Sequence, residues 1–72
     1  IDAKTQLQEY SLKNYKALPK YTIYPKVGPH HRPIFKTEVQ IPNSKKIIGT
    51  GTSKKNAQQN AAKKLLRLLE II

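Results

Sequence analysis

Cysteine, methionine and tryptophan are absent from the 72 residues of this chain, and only four residues are acidic. Without cysteine there is neither a disulfide framework nor a thiolate metal site, which leans towards a reducing compartment and makes the cytosol the expected location. Long apolar runs are missing too. Nothing approaches the ~20 residues that a membrane span needs, and no charged-then-apolar leader reads as a signal peptide. The four acids, Asp2, Glu9, Glu38 and Glu70, are scattered over separate segments. Metal-dependent phosphodiester cleavage needs clustered carboxylates, so no catalytic residue and no cofactor is expected.

Positive charge is abundant instead: 14 Lys and Arg against 4 Asp and Glu give a formal net charge of +10 and a pI near 10.1. So much charge on a small body opposes compactness by self-repulsion and draws in polyanions. Nucleic acid is the first partner to expect, and an anionic membrane surface the second. At this length the expectation is one domain over residues 1–72 with one thin core. No internal repeat, linker or low-complexity tract divides it.

Periodicity sets the elements. Residues 1–16 carry Asp2 as N-cap, then Ala3, Leu7, Tyr10 and Asn14 or Tyr15 at steps of three and four, which predicts an amphipathic helix. Its other face carries Thr5, Gln8 and Glu9, polar groups that a core does not need. Pro19 restricts Leu18 and stops the helix shortly before. From Lys20 the period is two: Tyr21, Ile23 and Val27 predict a first strand, with Pro25 at an edge or bulge. G-P-H-H-R-P at 28–33 predicts a loop. Phe35, Thr37, Val39 and Ile41 then share one face of a second strand, Pro42–Ser44 turn, and residues 45–51 form a third. Strands joined so closely are antiparallel. Ser53 is the N-cap of a last helix expected to reach the C-terminus, with Ala57, Ala61, Leu65 and Leu68 or Leu69 along its buried stripe. Small residues early and large ones late place its start close to the sheet. The expected class is α+β in the order α-β-β-β-α, two helices on one face of a three-stranded antiparallel sheet.

The start of that last helix contains a conflict. Lys54 and Lys55 follow Ser53 directly, although a cation at a helix N-terminus is unfavourable by ~0.3–1 kcal/mol. Unpaired backbone N–H groups, the helix dipole and two ammonium groups converge there. An anion with several oxygens relieves all three, and a nucleic-acid backbone supplies a row of them. A solvated helix end that tolerates the penalty is the plainer account.

Three separated motifs, K-T-Q-L-Q-E-Y at 4–10, G-P-H-H-R-P-I-F at 28–35 and G-T-G-T-S-K-K-N-A-Q-Q-N-A-A at 49–62, together resemble the double-stranded RNA-binding domain over essentially the whole chain, most of all the C-terminal domain of ribonuclease III. The resemblance implies the α-β-β-β-α fold, duplex RNA as partner and three contact groups. The first helix would offer Thr5, Gln8 and Glu9 to one minor groove. The loop after the first strand would bring Pro29, His30 and His31 to the next, with Arg32 added from its charge alone. Ser53, Lys54 and Lys55, with Gln58 one turn on, would grip the phosphates between. A-form duplexes display 2′-hydroxyls in a shallow minor groove, so polar side chains that donate and accept suit them, and Glu9 can accept from a 2′-hydroxyl. Two minor grooves and their phosphates span ~16 base pairs and are read by shape. The acidic motif of the ribonuclease III catalytic domain is absent from these residues, so the chain reads as a non-catalytic, substrate-holding part.

Other readings are weaker. His30 and His31 lack the cysteine or carboxylate neighbours of a zinc set, so no metal site is expected. G-T-G is a lone G-x-G without the spacing of a nucleotide loop. Tyr10, Tyr15, Tyr21 and Tyr24 fit core or sheet surface better than base-stacking platforms, and no G-x-x-G clamp occurs. The alternative of a different class is a protein-interaction or dimerisation module of the same fold. L-L-R-L-L-E-I-I at 65–72 offers more apolar surface than a small core needs, to a catalytic domain of the same chain or to a second copy.

Overall fold

Asp2 opens the first helix as the sequence predicts. Its extended backbone and its carboxylate, which accepts the Thr5 N–H at 2.9 Å, cap α1 (Ala3–Tyr15). The helix closes on Lys16, whose left-handed φ of 54° lets its N–H reach the Leu12 carbonyl. Ser11, buried within the helix, donates to the Ala17 carbonyl at 2.6 Å and fixes the path out of α1 towards Pro19. The computed structural model describes residues 2–72 and continues with β1 (Lys20–Ile23), β2 (Phe35–Gln40), β3 (Ile47–Gly51) and α2 (Lys54–Leu68).

The sheet is antiparallel in the order β1-β2-β3, with Tyr21 opposite Val39, Thr37 opposite Gly49 and Val39 opposite Ile47. Opposed residues share a face, so this register puts Tyr21, Thr37, Val39, Ile47 and Gly49 under the helices. Lys20, Thr22, Lys36, Glu38, Gln40, Ile48 and Thr50 fall on the other face. Thr37 is buried among apolar neighbours, and its hydroxyl is satisfied by donating to the Thr22 carbonyl at 2.9 Å.

One core forms between α2, α1 and the sheet, from Ala3, Leu7, Val39, Ile41, Ile47, Ala61, Ala62, Leu65 and Leu66. Leu7, Leu65 and Leu66 are fully buried, and each contributes about 2 kcal/mol by leaving water. Helix α2 lies across β2 and β3, and α1 packs against α2. The close approach expected from the early alanines is present at Gly49, where a Cβ would collide with the Ala61 nitrogen and stand 2.6 Å from the Ala57 carbonyl oxygen. Backbone meets backbone there.

Three expectations need correction. β1 ends at Ile23, and Val27 makes only an isolated bridge to Ile34. Pro25 has no N–H to continue the ladder. Residues 45 and 46 precede β3, which begins at Ile47. In α2 the expected stripe of Ala57, Ala61 and Leu65 is buried and widens to Ala62 and Leu66; of the two late leucines Leu69 packs on the core, while Leu68 is 62% exposed. The helix also stops at Leu68 short of the C-terminus, because Glu70 turns to φ 59° and sends Ile71 back against the core. In α1, Tyr15 packs on the core and Asn14 faces water, its amide donating to the Tyr10 carbonyl.

Candidate nucleic-acid interface

The start of α2 is built as expected. Ser53 takes an extended conformation and its hydroxyl oxygen accepts the Asn56 N–H at 3.0 Å, so this side chain serves as the cap. Lys54 and Lys55 are exposed in the first turn, and that turn contains no acidic residue. Adjacent helical residues diverge by about 100°, and the two lysines enter different grooves. Lys55 lines an open groove of about 490 Å³ with Asp2, Lys4, Thr5, Gln8 and Gln59. Lys54 lines a second of about 740 Å³ with Ile23, Tyr24, Pro25, Lys26 and Phe35. The pair therefore straddles the junction between the polar face of α1 on one side and the start of the β1–β2 connection on the other.

On the α1 side, Thr5 and Gln8 meet Lys55 across the groove, and Glu9 is exposed beside them by helical spacing. The Thr5 hydroxyl donates to the Asp2 carboxylate at 2.6 Å, and its N–H donates to the same oxygen. The Thr5 hydroxyl hydrogen bond, then that from the Thr5 backbone, hold the Asp2 carboxyl below the usual carboxylate range, and the charges of Lys4 and Lys55 act in the same direction.

On the other side, residues 28–33 form a turn in which the Arg32 N–H donates to the Pro29 carbonyl, closed by the paired Val27 and Ile34 backbones. Gly28 carries the turn with φ 93°, where a side chain would be strained and would approach the Arg32 carbonyl at 3.1 Å. Pro29, His31, Arg32, Pro33 and Ile34 line a cavity of about 600 Å³ with Thr52, the residue before the α2 cap. His30 is exposed and lies outside that lining.

Gln58, one turn on, is engaged by α1. Its Oε1 accepts the Lys4 ammonium at 2.9 Å, which leaves the amide NH2 as its free donor. The sequence reading missed two residues, Lys4 and Gln59. Lys4 runs over the Tyr21 ring at 5.3 Å on its way to Gln58. The Gln59 amide bridges to α1, accepting the Lys4 backbone N–H through Oε1 and donating to Asp2 through Nε2. The polar Q-Q pair beside the buried Ala57 and Ala61 was the available signal. Beneath this junction, burial pushes the Tyr21 hydroxyl up to about 12, with the negative charge of Asp2 adding to the effect. Among the described residues no three His, Asp or Glu side chains gather as metal ligands, and no helix is long and apolar enough to cross a membrane.

The family described as the double-stranded RNA binding motif matches residues 3–69. Ribonuclease 3 of Pelagibacter ubique is 56% identical over 62 residues, covering 86% of this chain and 28% of that protein. Ribonuclease 3 of Aquifex aeolicus is 44% identical over 69 residues, covering 96% of this chain and 31% of its own length. The chain thus spans under a third of these relatives, aligned to their C-terminal part. Among solved structures, the first dsRBD of HYL1 superimposes with a TM-score of 0.73 at 35% identity, covering 94% of this chain and 96% of that one. The second dsRBD of DRB4 gives 0.69 at 29% identity, with 97% of each chain covered.

Proposed function

Since the chain belongs to the double-stranded RNA binding motif family, we propose that residues 1–72 act as one non-catalytic module that binds duplex RNA by shape. The observation that carries this reading is the straddling lysine pair: Lys55 opens onto the α1 groove with Thr5 and Gln8, and Lys54 opens onto the β1–β2 side. A phosphate track laid over the start of α2 therefore continues into the polar face of α1 on one side and towards the β1–β2 connection on the other. In this reading Thr5, Gln8 and Glu9 meet ribose hydroxyls in one minor groove, while Pro29, His30 and His31 enter the next with Arg32 on a nearby phosphate. Lys54 and Lys55 hold the intervening phosphates, Ser53 presents the helix end, and Gln58 donates from one turn further on.

A gel-shift series with matched duplex RNA, duplex DNA and single strands tests the proposal at fixed salt. Preference for duplex RNA is the expected result, and equal affinity for all three reduces the chain to a generic polyanion binder. No metal or cofactor enters this role.

The Ribonuclease 3 relatives support a further step: the chain is the substrate-holding part of a ribonuclease III-type enzyme working inside the cell, with a catalytic domain of the same chain as its neighbour. A second reading, pairing with a second copy, is favoured by one observation, the exposure of Leu68 and Ile72 at the end of α2. Sedimentation across a concentration series separates the two, since a constant monomer mass excludes self-pairing.

A further inference from the structure

The two helices are joined by a polar clasp whose partners lie more than fifty residues apart in sequence. Asp2 caps α1 through one carboxylate oxygen, which takes both the hydroxyl and the N–H of Thr5. The other oxygen takes the Gln59 amide from α2. Through its own oxygen, Gln59 accepts the Lys4 N–H, one of the donors that the first turn of a helix leaves unpaired. One side chain of α2 thereby completes the N-terminus of α1. Lys4 returns the connection by donating its ammonium to Gln58. The same residues floor the groove in which Thr5 and Gln8 face Lys55.

We propose that Gln59, held between Asp2 and the Lys4 amide, is a positioning residue that fixes the offset between the α1 reading face and the α2 lysines, and thereby sets the preference for A-form over B-form duplexes. This rests on the duplex-RNA reading above. The reasoning is geometric. A grip on one short run of phosphates alone discriminates poorly, because the phosphate group itself is the same in every duplex. Discrimination by shape requires that a groove reader and a phosphate grip stand at a set separation, because groove width and depth differ between the two forms. In this molecule the reader is on α1 and the grip on α2, so their separation is only as fixed as the helix–helix contact near their starts. Ala3 joins the core beneath that end of the contact; above it the contact is polar, and Gln59 is its centre.

The test measures affinity for matched RNA and DNA duplexes and takes their ratio, for the wild type, Gln59→Ala, Gln59→Glu and the exchanged pair Asp2→Asn with Gln59→Glu. Gln59→Ala removes one or two hydrogen bonds and is expected to lower the RNA:DNA ratio about threefold to tenfold. The salt slope should hold, since no cation is lost. Gln59→Glu sets two carboxylates together and lowers the ratio as well. In the exchanged pair the amide and the carboxylate trade places: the amide now on α1 donates to the carboxylate now on α2, which still accepts from Lys4, and the net charge equals that of the wild type. Its ratio should return to the wild-type value. A residue that merely stabilised the fold would change the melting temperature and leave the ratio untouched. The exchanged pair carries the test should Gln59→Ala fail to fold. A wild-type preference that persists undiminished in Gln59→Glu overturns the proposal alone. Equal wild-type affinity for both duplexes overturns the functional reading, and the role of the clasp with it.

Discussion

The junction of α1 with α2 and the 24–34 connection flank the same pair of lysines, yet they are built by opposite means. At the junction, Asp2, Lys4, Thr5, Gln58 and Gln59 form a continuous hydrogen-bonded set, and α2 beneath it sits on β3 with backbone against backbone at Gly49. In the connection, Tyr24 is tied to β2 through its N–H and its hydroxyl, but beyond it only the bridge between Val27 and Ile34 and one turn bond from Arg32 to Pro29 hold a largely exposed excursion. A surface that reads duplex shape needs one rigid pair of contacts to measure with. It tolerates a third that adjusts, since local opening concentrates where buried contacts are few.

The largest effect that would break this contrast is at Gly49. Gly49→Ala drives a methyl group into the Ala57 and Ala61 backbone, and the expected loss is about 3 kcal/mol of stability, read as a strongly lowered melting temperature. A melt unchanged by that substitution would mean that α2 is free to ride up from the sheet. Next in size is Lys54→Ala with Lys55→Ala. RNA affinity should fall and the salt slope should drop by about 1 per lysine, while the melting temperature stays equal or rises, because two cations leave a helix N-terminus.

A smaller change belongs to the connection. Gly28→Ala at φ 93° costs about 1–2 kcal/mol of local strain. If the connection is the adjustable side, RNA affinity should weaken while the melting temperature moves far less than for Gly49→Ala. Smallest is the acid dependence of the junction. The folded Asp2 carboxyl is held below its ordinary value of 3.8, so the stability it lends is complete above that value and is lost as pH falls through the lower, folded one. Asp2→Asn should flatten this part of the acid limb in a melt-versus-pH series, whereas substitutions at His30 or His31 should leave it in place.

The sequence made the local devices legible, and it did so wherever one element contains both partners. Asp2 and Ser53 cap as read, because the capping oxygen and the N–H that donates to it lie three residues apart. Thr37 and Val39 point inward as read, because alternation is local. The failures lie where a second element decides. Val27 obeys the strand period, but the missing N–H of Pro25 detaches it from the ladder. The helical period continues past Leu68, but the chain turns at Glu70 and returns Ile71 against the core. The pairing in the clasp had no local signal beyond the polar Gln58 and Gln59 beside buried alanines. Gln59 and Asp2 stand 57 positions apart, and no periodicity links them.

One hydrogen atom has a consequence for the kind of sugar the α1 face can favour. The hydroxyl hydrogen of Thr5 is committed to the Asp2 carboxylate, so only its lone pairs remain on offer. A ribose brings a hydrogen to such an oxygen through its 2′-hydroxyl, whereas the 2′ carbon of deoxyribose has none to give. On the proposed reading, the acid that begins the helix would thereby favour, one side chain away, the oxygen that separates the two nucleic acids.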